Sequence, residues 1–154
     1  MTSMSGNADW RRRCCRMVDR DVVGRRLSAL QLYLTDVGDY VAIERDAYLA
    51  DRKTQHATER ALLLAIEVCI DLGEHVIADR RLAIPETTAG VFTTLATARL
   101  LPPALAGRLA AMSRFRNLLV HDYAQVDAGR VFDIARTDVH DLEKFAETIK
   151  ELIA

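Results

Sequence analysis

Apolar side chains recur every three or four positions along most of this chain, and little interrupts them. From Thr54 to about Ala78, Leu62, Ile66, Cys69, Ile70, Gly73, Val76 and Ile77 fall on one helical face, with Glu67, Asp71 and Glu74 on the other side. A half-buried strand would need strict alternation instead. Val23, Leu27, Leu30, Leu34 and Val37 repeat the helical spacing, with Gly38 as the expected stop. A short second helix is expected over about 39–50, with Val41, Ala47 and Tyr48 turned inward. Pro85 suits the first turn of the next helix, whose buried stripe is Val91, Phe92 and Leu95. Pro102-Pro103 ends that helix and starts another, with the apolar residues Leu105, Met112, Phe115, Leu118 and Leu119. Asp127-Ala128-Gly129 reads as a turn. Thr137 or Asp138 then caps a last helix with the stripe Leu142, Phe145, Ile149 and Leu152. The expected fold is all-α, an up-and-down bundle of five to six helices, with long ones at 20–37, 54–78, 103–120 and 138–153.

Composition narrows the class further. With 154 residues the chain is one domain's worth, read as a flexible basic extension over 1–18 and a helical domain over 19–154. Seven Gly and three Pro are too few for a turn-rich sandwich or barrel. Aromatics at 6% argue against a platform of stacked bases. Lys+Arg of 21 against Asp+Glu of 22 leaves a net charge of -1, unlike a protein that grips duplex DNA through many phosphates. A local site for one phosphate stays open. Cys14, Cys15 and Cys69 form no CxxC pair and no zinc spacing, so no metal site is expected. Cys69 reads as a core thiol. Asp71 and His75 are four apart, which fits a surface pair or half a metal site; no third ligand is visible. Arg11, Arg12, Arg13 and Arg16 stand in a segment without a signal-peptide core, and no apolar run is long enough to span a bilayer. The chain reads as a cytoplasmic protein.

The chemistry concentrates between Ser113 and Tyr123. At about 100° per residue, Asn117 and His121 stack one turn apart and Arg116 can reach toward them. This polar set falls roughly opposite Met112, Phe115, Leu118 and Leu119. Leu109 and Val120 project among the polar residues, so the face is expected to be exposed and to meet a partner helix. In a two-fold homodimer such a face meets its own copy, and two His and two Arg line one cleft. That suits RNA cleavage. A neutral imidazole can take the proton of a ribose 2′-hydroxyl, and a second, protonated one can donate to the departing 5′-oxygen. A guanidinium can hold the phosphate as charge develops on its oxygens. With the 2′-hydroxyl as nucleophile the scheme requires no metal. Spacing alone also fits a plain structural role, with Arg116 paired to Asp122 or a neighbouring helix and His121 complementing a helix C-terminus.

Arg116-Asn117-Leu118-Leu119-Val120-His121-Asp122-Tyr123 resembles the Arg-x4-His-x-Tyr signature of the HEPN superfamily, specifically its HepT branch. Ala65 to Ile77 resembles the long central helix of that branch, and Ala111-Met112 and Asp141 to Phe145 are also family-like. The resemblance covers roughly residues 20–153. It implies a toxin of a toxin–antitoxin pair, a homodimeric endoribonuclease that uses no metal or cofactor of its own. Arg116 and His121 are then the catalytic residues at the dimer interface, with Asn117 and Asp122 beside them. The implied partner is an MntA-like nucleotidyltransferase antitoxin that spends ATP to place AMP on Tyr123 and silence the toxin. A bulky anionic phosphodiester two residues from His121 would block the cleft and compete for Arg116. The alternative is a non-catalytic HEPN-like module that binds a nucleotidyltransferase or a nucleotide.

Overall fold

The computed structural model describes residues 19–154; the basic extension expected over 1–18 lies outside them. Within the described residues the chain is helical throughout, without a strand. α1 (Arg20–Tyr40) starts on Asp19, whose carboxylate accepts the N–H groups of Asp21 and Val22. It runs through Gly38, because Gly38 keeps a negative φ and Val41 still closes on the Val37 carbonyl at 3.2 Å. The second helix is therefore shorter than expected. α2 spans only Arg45–Ala50, with Val41 and Tyr48 buried and Ala47 exposed rather than inward.

α3 (Arg52–Asp79) is the central helix and packs against α1 and α2 as well as everything that follows. Its cap, Asp51, takes the N–H groups of Lys53 and Thr54 and the Thr54 hydroxyl, which holds its carboxyl below the usual range. Leu62, Ala65, Ile66, Cys69, Leu72 and Val76 fill the inner face. Burial pushes the Cys69 thiol up, as befits a core residue. At Gly73 a Cβ would stand 2.5 Å from Val91 Cγ1, so glycine sets how closely α4 approaches.

α4 (Thr88–Thr97) is capped by the Thr87 hydroxyl, which accepts the Gly90 N–H. That cap sets the start of the helix and leaves Pro85 before it rather than in its first turn. α5 (Pro103–His121) begins with Pro103 in its first turn, as expected. The Asp127-Ala128-Gly129 segment is no free turn, since Asp127 caps α6 (Ala128–Asp133) by accepting the Arg130 N–H. α6 continues through a π-turn (Ile134–Asp138) into α7 (Val139–Ile153). Neither Thr137 nor Asp138 caps a new helix. The Thr137 hydroxyl donates back to the Asp133 carbonyl at 2.6 Å, while buried Phe132, Ile134, Ala135 and Val139 keep both sides of the π-turn in the core. Six continuous helical stretches result among the described residues.

Side-chain contacts fix how the bundle closes. Arg26 on α1 pairs with Asp71 on α3. Arg20 reaches the Ala154 carbonyl and Arg80 the Leu152 carbonyl, so the start of α1 and the ends of α3 and α7 share one end of the bundle. Tyr48 against Phe132, with ring centroids 5.0 Å apart, joins α2 to α6. Phe92 meets Phe145 edge-on at 5.5 Å in the core between α4 and α7. No helix of the described residues is long and apolar enough to cross a membrane.

Candidate active site

α5 carries the motif, and its core contacts set where the motif stands. Leu105, Ala106, Leu109, Met112, Ser113 and Phe115 are all buried. The Ser113 hydroxyl donates to the Thr88 hydroxyl at 2.8 Å and ties α5 to the first turn of α4 just before the motif. Leu109 belongs to this inner seam and is fully buried, not a member of an exposed mixed face. Tracing the seam onward from Leu109 and Ser113 leads to Arg116, which faces α3 instead of standing opposite the core. Beyond it Leu118 and Leu119 stay half-buried against the core, while Asn117 and His121 are exposed and Val120 is 38% exposed.

Arg116 is held at both ends of its guanidinium. Nη2 donates to Glu67 Oε1 on α3 at 2.8 Å, and Nη1 donates to Asn117 Oδ1 at 3.1 Å. Nε is buried without a partner among the described residues. The Arg116 side chain is 24% exposed and that of Glu67 35%, so the ion pair is partly open to solvent. Planar and permanently charged, the guanidinium suits a phosphate oxygen. Of the two partners expected for a structural role, Asp122 or a neighbouring helix, it is the neighbouring helix that supplies one, through Glu67. Glu67 was legible only as one of the acids opposite the core face of α3; nothing local in the sequence points it at Arg116.

His121 is the last residue of α5. Asp122 ends the helix through its backbone: its N–H donates to the Leu118 carbonyl at 2.9 Å, and its carbonyl accepts the Gln125 N–H at 2.9 Å. This fold-back starts a 3-10 turn, Tyr123–Gln125, and sets Tyr123 at its first position, two residues beyond His121. The exposed imidazole and the partly exposed guanidinium thus belong to one short stretch of chain. One group can exchange a proton and the other can bind an anion. Asp71 and His75 do not form a side-chain pair. Asp71 engages Arg26, and the His75 ring Nδ1 meets the Asp71 backbone carbonyl at 3.0 Å. No group of three His, Cys, Asp or Glu side chains among the described residues is placed to hold a metal ion.

Comparison with known proteins agrees with the fold. The family described as Ribonuclease HepT-like matches residues 30–149, and the chain belongs to that family. A protein named tRNA nuclease HepT, from Aphanizomenon flos-aquae, is 32% identical over 111 residues, 72% of this chain and 76% of that protein. One named mRNA nuclease HepT, from Shewanella oneidensis, is 33% identical over 84 residues, 54% of this chain and 63% of that protein. A solved structure of the tri-AMPylated Shewanella oneidensis HEPN toxin in complex with MNT antitoxin superposes with a TM-score of 0.80 at 25% identity. It covers 88% of this chain and 99% of the other.

Proposed function

We propose that this protein is the toxin of a HepT/MntA-type toxin–antitoxin pair and acts as an endoribonuclease through Arg116 and His121 of a homodimer. The observation that carries this reading is the last turn of α5. It carries an exposed imidazole and, at the edge of the core, a partly exposed guanidinium held by Glu67 and Asn117. The relatives named as nucleases and the AMPylated HEPN toxin bound to its antitoxin support it.

One chain supplies one His121, whereas in-line cleavage uses a base and an acid. Two copies meeting along the exposed last turn provide both. One imidazole takes the 2′-hydroxyl proton as that oxygen bonds to phosphorus. The P–O5′ bond breaks, and the imidazolium of the second copy gives its proton to the leaving 5′-oxygen. The products are a 2′,3′-cyclic phosphate and a 5′-hydroxyl. Arg116 binds a non-bridging oxygen, and its charge counts most as the pentacoordinate phosphorus gains negative charge. Asn117 keeps the guanidinium oriented through its side-chain oxygen. Asp122 acts through the fold-back that places Tyr123 beside the helix end. AMP carried on Tyr123 puts a competing phosphate near Arg116 and bulk over His121.

The test is intact mass and RNA cleavage for the protein expressed alone and together with its nucleotidyltransferase partner. The expected result is cleavage by the unmodified protein, and a gain of one or more AMP units on Tyr123 with cleavage lost in the co-expressed sample. No mass gain and no cleavage in either sample would replace this reading with that of a non-catalytic binding module.

A further inference from the structure

We propose that Glu67 is a positioning residue for Arg116, a fixed carboxylate on the central helix that aims the guanidinium before RNA arrives. This rests on the reading of Arg116 as the group that holds the scissile phosphate. The outer side of α3 presents Asp71 and Glu67 one turn apart, and each takes an arginine from a different neighbour. Asp71 engages Arg26 of α1, and Glu67 engages Arg116 of α5. The Asp71 pair joins two helices that do not carry the motif. The Glu67 pair joins the central helix of the bundle to the helix end where the motif stands.

The geometry leaves Arg116 both anchored and usable. Each Nη nitrogen of a guanidinium carries two protons. Glu67 Oε1 takes one from Nη2 at 2.8 Å, and Asn117 Oδ1 takes one from Nη1 at 3.1 Å. One proton on each Nη remains for an incoming phosphate oxygen. An arginine left free would sample many rotamers, and ordering it would count against the transition state. Two acceptors on two different residues fix the plane of the fork instead. The pair is partly exposed, so its direct worth to folding is small. Its effect falls on the rate.

The test compares Glu67→Ala and Glu67→Gln, each alone and combined with Arg116→Lys, beside Arg116→Lys and Arg116→Ala, in RNA cleavage on a total tRNA pool with unfolding midpoints in parallel. Glu67→Ala is expected to lower kcat about 10- to 100-fold with KM little changed and a near-wild-type unfolding midpoint. Glu67→Gln keeps an oxygen for Nη2 and is expected to stay within a few-fold of wild type. In an Arg116→Lys background there is no fork to orient, so the Glu67→Ala loss is expected to shrink to a few-fold. Wild-type cleavage by Glu67→Ala beside an inactive Arg116→Ala would overturn the proposal and leave the site reading intact. So would faster cleavage by Glu67→Ala, which would make Glu67 a brake, or equal losses in both Glu67 variants together with a lowered midpoint. Full cleavage by Arg116→Ala would instead sink the site reading beneath it.

Discussion

The two ends of α5 share one helical period and meet opposite surroundings. From Leu105 to Phe115 the inward positions are apolar or, at Ser113, hydrogen-bonded, and all are buried. One step further along the same seam stands Arg116, and beyond it only Leu118 and Leu119 still lean on the core, half-buried, while Asn117, Val120 and His121 are in contact with solvent. The first stretch spends its side chains on stability. The last stretch keeps Leu118 and Leu119 half-buried and commits its polar side chains to an ion pair with Glu67 and to groups that face outward. A rigid helix thus delivers a polar cluster to the edge of the bundle, which is how a site can be precise without being buried.

This contrast yields effects that separate cleanly, taken here in descending size. Arg116→Ala should lower RNA cleavage by about a hundred- to a thousandfold, the usual cost of removing one donor that faces developing charge. Its circular dichroism spectrum should stay helical. Leu109→Ala, seven residues earlier on the same seam, should lower unfolding free energy by about 2 to 5 kcal/mol in denaturant titrations. Cleavage per folded molecule should be nearly unchanged. Ser113→Ala removes the bond to Thr88 and should cost about 1 kcal/mol in the same titrations. Val120→Ala should change stability by less than about 0.5 kcal/mol. If Val120→Ala proved as costly as Leu109→Ala, the last turn would be part of the core and the division between the two ends would collapse.

Much of this was legible from side-chain spacing. The inner faces of α1, α3 and α7 follow their three-four periodicity directly, because packing there is decided by the apolar residues themselves. The stops were harder to read. Just past the ends of α3 and α4 stand Arg81 and Arg99 in the left-handed region, at φ 53° and 59°, where a glycine would have been the readable signal. Gly38 carried that signal and its helix ran past it. The π-turn at Ile134–Asp138 was hidden because Thr137 and Asp138 are good caps in isolation, and burial on both sides kept the chain helical. At the site, Arg116, Asn117, His121 and Tyr123 stood out through one short motif. The inward turn of Arg116 did not, because it depends on how α5 packs against α3. Glu67 escaped for the same reason: it is distant in sequence, and only the bundle brings it to Arg116.

The central claim is that the exposed end of α5 cleaves RNA. The most direct measurement compares the purified wild-type protein with His121→Ala on the same RNA, following the rate and the chemistry of the product ends. The account predicts wild-type products with 2′,3′-cyclic phosphate and 5′-hydroxyl termini, and a variant that folds normally but cleaves about a hundred- to ten-thousandfold more slowly. Undiminished cleavage by His121→Ala would contradict it.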